Sequence, residues 1–196
     1  MNAREILGQN KVMPVVVVDS VENGLKMAES LLKGGVNAME ITLRTPCALE
    51  AVKEICAAFP HMCVGVGTVL NARQFEVACE RGAKFVISPG LNGELLRLNS
   101  PVPFVPGVAS ASEVLMALEH GLDTLKLFPA VAVGGVALLK AFASVFEGVK
   151  FCPTGGVSTA NAREFLNLPN VICVGGSWIT SELALVEERA KESTKL

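Results

Sequence analysis

The chain has no tyrosine, one tryptophan and two histidines in 196 residues. Aromatic residues make up only 5% of it, so any core must be aliphatic. Asp19 and Asp123 are its only aspartates. A catalytic or structural metal site draws on clustered His, Cys and carboxylate ligands. With only His61 and His120 available, and no Cys pair at C-x₂-C spacing, the material for one is lacking and no metal is expected. The six cysteines (Cys47, Cys56, Cys63, Cys79, Cys152 and Cys173) read as small buried hydrophobes or inert thiols rather than a disulfide scaffold. The net charge of −2 leaves no basic face for a nucleic-acid backbone. Long apolar runs are also missing. Val12–Val18 is far short of the ~20 residues that span a bilayer. It follows Arg4 and Lys11 as a signal peptide would, but it ends at Asp19 with no small-residue cleavage site, so it reads as a buried strand. A cytoplasmic protein is expected.

What is present is apolar and rhythmic. Hydrophobic residues make up 51% of the chain, and the mean hydropathy is +0.46. Short β-branched runs alternate with helical stretches. Strands are predicted at 12–18, 37–43, 62–67, 84–88, 102–106, 123–128, 149–153 and 171–175. Helices are predicted at 21–34, 47–58, 71–81, 91–98, 111–120, 135–144, 159–167 and 179–192, with an extra N-terminal helix over 2–10. Ser20, Asn71, Ser110 and Ser158 are suited to cap helix starts. Gly35, Gly82 and Gly121 suit left-handed helix ends. Eight alternations imply parallel strands joined by right-handed crossovers, and eight is the number that closes a barrel. The expectation is therefore an α/β chain, a single-domain (β/α)₈ TIM barrel over residues 1–196. An open doubly wound sheet is the alternative, disfavoured because no G-x-G-x-x-G follows the first strand.

In such a barrel, function gathers at the C-terminal ends of the strands. Strand residues alternate faces. In the second strand Met39, Ile41 and Leu43 share the helix side. Glu40, Thr42 and Arg44 then face the lumen, where charge is costly unless paired or used. The bland reading is an internal Glu40–Arg44 pair. In the sixth strand Leu125 and Leu127 take the outer face, while Thr124, Lys126 and Phe128 take the lumen. The bland reading of Lys126 is a snorkelling side chain or a partner for Glu40. The functional reading is a nucleophile. Burial disfavours the charged ammonium, and a neutral amine can attack a carbonyl carbon to form an iminium, which acts as an electron sink. Glu40 would move the protons. Arg44 offers a planar fork for a carboxylate. The pairs in Thr154-Gly-Gly-Val-Ser158 and Gly175-Gly-Ser-Trp178 stand where barrels often hold phosphate. Each alone reads equally as a tight turn. Thr42 is expected to orient Glu40 or Arg44.

These residues carry a resemblance. The motifs Glu40-Ile-Thr-Leu-Arg-Thr45, Gly65-Val-Gly-Thr-Val-Leu70, Ile87-Ser-Pro-Gly90, Lys126-Leu-Phe-Pro-Ala130, Phe151-Cys-Pro-Thr-Gly-Gly156 and Gly175-Gly-Ser-Trp178 together resemble the 2-dehydro-3-deoxy-phosphogluconate / 4-hydroxy-2-oxoglutarate aldolase family, from Met13 to about Ile179. The resemblance implies an imine-forming class I aldolase of the Entner–Doudoroff route, with no metal or other cofactor. Lys126 would form the Schiff base with pyruvate, and Glu40 would be the general acid/base. Arg44 and Thr68 would hold the pyruvyl carboxylate. Pro89, Phe128 and Thr154 would line the pocket, and Gly155, Gly156, Gly176 and Ser177 would hold the phosphate. It implies a phosphorylated 2-oxo acid as substrate and a homotrimer. Two other readings of the residues stay open at this point. One is a phosphosugar isomerase or epimerase using Glu40 as base. The other is a non-catalytic phosphometabolite-binding barrel.

Overall fold

The structure, a computed structural model, describes all 196 residues. The chain opens with α1 (Ala3–Leu7), β1 (Val12–Val16), α2 (Val21–Lys33), β2 (Ala38–Thr42), α3 (Ala48–Ala58) and β3 (Cys63–Gly67). It continues through α4 (Ala72–Glu80), β4 (Phe85–Ile87), α5 (Gly93–Leu96), β5 (Phe104–Val105), β6 (Gly107–Val108) and α6 (Ala111–Glu119). It closes with β7 (Thr124–Leu127), α7 (Gly135–Ala143), β8 (Lys150–Pro153), α8 (Ala162–Leu166), β9 (Val174–Gly176) and α9 (Val186–Ser193).

Local chemistry sets several boundaries. Ser20, Asn71 and Ser110 each accept a hydrogen bond from the backbone N–H three residues on, at 3.2, 2.9 and 3.4 Å. They satisfy donors that a helix start leaves orphaned. Gly35, Gly82 and Gly121 take φ of +85°, +93° and +73° just past their helices, a conformation that glycine adopts at little cost. Ser158 does not open a helix. Its N–H donates to the Asn161 side chain at 2.9 Å, and α8 starts only at Ala162.

All strand pairs are parallel, but the expected eight-stranded barrel is not one continuous ladder. The strands form a six-stranded sheet in the order β5-β4-β3-β2-β1-β9 and a three-stranded sheet β6-β7-β8. Pro106 splits the strand expected at 102–106, because proline has no N–H to give the ladder and restricts the residue before it. Between β8 and β9 only two isolated bridges form, Phe151 with Val171 and Thr154 with Gly175. The architecture is an α/β fold with a curled parallel sheet.

Alternation sorts the core into two layers. Met39, Ile41, Val64, Val66, Val86, Leu125, Leu127, Phe151 and Val174 belong to a large cluster of 43 buried residues packed with the helices. Their neighbours in sequence (Ala38, Cys63, Phe85, Ile87, Cys152 and Cys173) belong to a second cluster of 10 buried residues on the concave side. Ile6 and Leu7 of α1 join that inner cluster, at 2% and 0% exposure. Arg4 fastens α1 in place, bonding Asp123 Oδ2 at 2.9 Å and the Gly148 carbonyl at 2.6 Å. The inner layer is thus filled from below. Truncating one of its large side chains to Ala is expected to cost about 2–5 kcal/mol.

Candidate active site

Two strands bring the central pair together. On β2 the helix-facing Met39 and Ile41 leave Glu40 on the inner face, and on β7 Leu125 and Leu127 do the same for Lys126. Both side chains are buried, at 1% and 5% exposure. Lys126 Nζ lies 3.1 Å from Glu40 Oε1 and 3.5 Å from Oε2. It also stands 5.4 Å from the centroid of the Phe128 ring, within reach of a cation–π attraction. Of the protein's ion pairs this is the one with both partners buried.

The pair depends on two glycines of the motif Gly65-Val-Gly-Thr-Val-Leu70. Glu40 is register partner to Gly65, and Thr42 to Gly67. A Cβ on Gly67 would stand 1.9 Å from Glu40 Oε1, so this bare position houses the carboxylate. A Cβ on Gly65 would stand 2.2 Å from the Phe85 ring, which fills the layer beneath. The available signal was two glycines two residues apart in a strand, both emptying the same face. The next residue, Thr68, has φ of +60°, which a β-branched residue adopts only under strain of about 1–3 kcal/mol.

Above the pair opens a cavity of about 550 Å³, bordered by Val15, Arg44, Phe128 to Pro129, Val131 to Ala132, Thr154 to Val157, Gly175 and Ser177. Of the residues expected to bind substrate, Arg44, Phe128, Thr154, Gly155, Gly156 and Ser177 border it. Lys126, Glu40, Thr68, Pro89 and Gly176 do not. Lys126 is the register partner of Cys152, so its Cα sits one inward step below the cavity-bordering Thr154. Gly176 stays in β9 as register partner of Pro14, and the Trp178 ring fills the place its Cβ would take, at 2.2 Å. Gly175 takes the bordering position instead. Pro89 follows β4 half-buried, and the β6 backbone at Gly107 passes so close that a Cβ there would meet the Pro89 carbonyl at 2.3 Å.

Arg44 departs from expectation. β2 ends at Thr42, so Arg44 belongs to the turn that follows, not to the inward row of the strand. It is exposed and forms none of the ion pairs, so the bland reading of an internal Glu40–Arg44 pair fails and Lys126 is the partner of Glu40. Thr42 orients neither charge. Its hydroxyl donates to the Val16 carbonyl at 3.0 Å and ties β2 to β1.

The far wall is a set of free donors. Gly155 and Gly156 take φ of +96° and +78°. The N–H groups of Gly155, Gly156, Val157 and Ser177 donate to no backbone acceptor within the protein. Consecutive free amides in such a turn make a concavity suited to an anion. A second cavity, of about 440 Å³, lies at the other end beside α1, where Arg4 and Asp123 already satisfy each other. No group of three or more His, Cys, Asp and Glu side chains is placed to hold a metal ion. No helix is long and apolar enough to cross a membrane.

The family model of the KDPG and KHG aldolases matches residues 3–196. The chain belongs to the KDPG and KHG aldolase family. It is 44% identical to the KHG/KDPG aldolase of Escherichia coli K12 over 197 aligned residues, covering 100% of this chain and 92% of that protein. It is 49% identical to the 2-dehydro-3-deoxy-phosphogluconate aldolase of Pseudomonas aeruginosa over 171 residues, 86% of this chain and 78% of the relative. The structure superimposes on KDPG aldolase from Legionella pneumophila, crystallised with pyruvate captured at low pH as a covalent carbinolamine intermediate. The TM-score is 0.97 at 42% identity, covering 99% of this chain and 98% of that one.

Proposed function

We propose that this protein is a class I aldolase that cleaves 2-dehydro-3-deoxy-6-phosphogluconate to pyruvate and glyceraldehyde 3-phosphate, and 4-hydroxy-2-oxoglutarate to pyruvate and glyoxylate. The observation that carries the reading is the buried Lys126–Glu40 pair, 3.1 Å apart beneath an open cavity walled by free amides.

The chemistry follows from that placement. Glu40 is close enough to take the ammonium proton and free the amine. Lys126 Nζ attacks the C2 carbonyl, the carbinolamine loses water, and an iminium forms. A base removes the C4 hydroxyl proton. The C3–C4 bond then breaks, its electrons flow into the iminium to give an enamine, and the aldehyde departs. Protonation at C3 and addition of water release pyruvate and restore the amine. Glu40 is assigned these proton transfers because no other carboxylate lies within reach of Lys126 Nζ. The Arg44 guanidinium, unpaired at the cavity edge, and the Thr68 hydroxyl hold the pyruvyl carboxylate. Phe128 and Pro89 pack on the substrate, and Thr154 lines the pocket beside it. The loops of Gly155, Gly156, Gly176 and Ser177 hold the phosphate, with free amides at Gly155, Gly156 and Ser177 as the supporting observation.

The two sheets act as one (β/α)₈ barrel spanning residues 1–196. The bridges between β8 and β9, and the single-residue gap between β5 and β6, support that reading. The protein works as a cytoplasmic homotrimer. Leu115 and Met116 stand 54% and 45% exposed on α6, apolar surface that a neighbouring copy would remove from water. Light scattering of the purified protein tests the trimer.

Incubation with pyruvate and sodium borohydride, followed by intact mass and peptide mapping, tests the mechanism. One reduced pyruvyl adduct on the Lys126 peptide is expected. No adduct, or an adduct spread over surface lysines, overturns it and favours an isomerase using Glu40 alone.

A further inference from the structure

Two buried thiols beside the central pair have no part in the chemistry above. Phe151 and Pro153 of β8 turn outward, Phe151 stacking against Phe142 at 5.8 Å, so Cys152 and Thr154 turn inward. Cys152 is the register partner of Lys126, which puts its thiol in the same row as the amine. Cys173, just before β9, lies on the inner face opposite. Both thiols are buried, at 2% and 0% exposure.

The thiols meet where the backbone leaves a seam. Between β8 and β9 the Ile172 N–H donates to the Phe151 carbonyl at 3.0 Å, and the next contact is the bridge of Thr154 to Gly175. In the interval, the buried thiols of Cys152 and Cys173 neighbour each other in the inner cluster. Their interaction lowers the Cys152 thiol from its ordinary range and, with burial, raises Cys173 well above it. Thr154 sits on the far side of Cys152. Its Oγ1 is 3.8 Å from Cys152 Sγ and 3.4 Å from the Cys152 carbonyl. Bare Gly175 gives it room, since a Cβ there would meet Thr154 Oγ1 at 2.1 Å.

We infer that Cys152, held by Cys173, is a positioning residue that fixes the Thr154 hydroxyl at the floor of the cavity. With its proton given to the Cys152 carbonyl and its oxygen held against the Cys152 sulfur, the Thr154 hydroxyl presents a lone pair upward as an acceptor. An acceptor there, beside the row of Lys126, suits the hydroxyl that the substrate carbon carries after the amine adds and before water leaves. The inference rests on the imine reading above.

A double-mutant cycle tests it. Cys152→Ala is expected to lower kcat for aldol cleavage about tenfold, the worth of one well-aimed hydrogen bond, with KM changed little. Cys152→Ser, which keeps a hydrogen-bonding group in place, is expected to recover most of that loss. In a Thr154→Ala background, Cys152→Ala is expected to cost nothing further, because the group it aims is gone. Independent, multiplying losses in the double variant overturn the inference, as does wild-type kcat in a folded Cys152→Ala. If Cys152→Ala does not fold, Cys173→Ala is put through the same cycle with the same outcomes. Borohydride trapping of the wild type separates the two levels. A wild type that forms no adduct removes the aldolase reading itself. An adduct with a multiplying cycle removes only the role of Cys152.

Discussion

Gly67→Ala is a one-carbon change aimed at the centre of the site. The added Cβ would sit 1.9 Å from Glu40 Oε1, 2.6 Å from its Cδ and 2.7 Å from its Cγ. Ordinary contact begins near 3.4 Å, so the carboxylate must retreat by about 1.5 Å. It has little room to do so, being 1% exposed and bonded to Lys126. A misplacement of about 1 Å at a reacting group costs on the order of a hundredfold in rate. Overpacking itself costs about 1–3 kcal/mol of stability, which for a chain of this size lowers Tm by roughly 2–4 °C per kcal/mol. The expected result is a folded protein, slightly less stable, with kcat for pyruvate release reduced about 10²-fold. Lactate dehydrogenase coupling reads the rate, and circular dichroism reads the fold. Glu40→Asp supplies the control. It draws the carboxylate back by one methylene, so adding Gly67→Ala to it should cost little more. Wild-type turnover in Gly67→Ala would refute the claim that this glycine houses the catalytic carboxylate.

Lys126→Arg keeps the charge beside Glu40 but cannot form an imine. It is expected to abolish both turnover and the borohydride adduct while inorganic phosphate still binds, as checked by intact mass and calorimetry. Titrating the protein with inorganic phosphate is expected to shift the amide resonances of Gly155, Gly156, Val157 and Ser177 together, and unmoved resonances would remove these loops from anion binding. Thr42→Val removes the bond to the Val16 carbonyl and is expected to cost about 1 kcal/mol in denaturant unfolding, with kcat within about twofold of wild type. A large loss of kcat would return Thr42 to an orienting role. Burial pushes the Cys63 thiol up to about 11, with Lys84 partly opposing it. The folded state therefore holds this proton more tightly than the unfolded chain does. Its contribution is fully present below pH 9 and is lost as pH rises toward 11. Thermal melts across that window should fall less steeply in Cys63→Ala.

The inner row of the site was readable because alternation is local. Glu40 between Met39 and Ile41, and Lys126 between Leu125 and Leu127, announce which way they point without reference to the rest of the chain. The caps at Ser20, Asn71 and Ser110 were readable for the same reason. What the sequence concealed lies between distant segments or at strand ends. Alternation was followed past the end of β2 at Thr42 and carried Arg44 inward with it, since nothing in the pattern marks where pairing stops. Thr42 was expected to serve a charge because polar inward residues invite that role, yet a carbonyl on the neighbouring strand takes its hydroxyl. The split at Pro106 was written in the residue itself, whose missing N–H could not continue the ladder. The meeting of Cys152 with Cys173 depends on the register of β8 against β9, which no spacing along the chain encodes.

The inner layer, filled from below by Phe85, Ile6 and Leu7, has a consequence for the order of events. A vessel stoppered at its base has one doorway. On the proposed mechanism the three-carbon fragment would be bonded to the amine at the bottom, and the aldehyde fragment would lie between it and the mouth. The aldehyde must therefore depart first and pyruvate second. In the reverse direction pyruvate must be loaded before the aldehyde arrives. Steady-state patterns should then be ordered, and excess aldehyde should block the entrance ahead of pyruvate. A leak opened through the base by trimming Leu7 would be expected to blur that order.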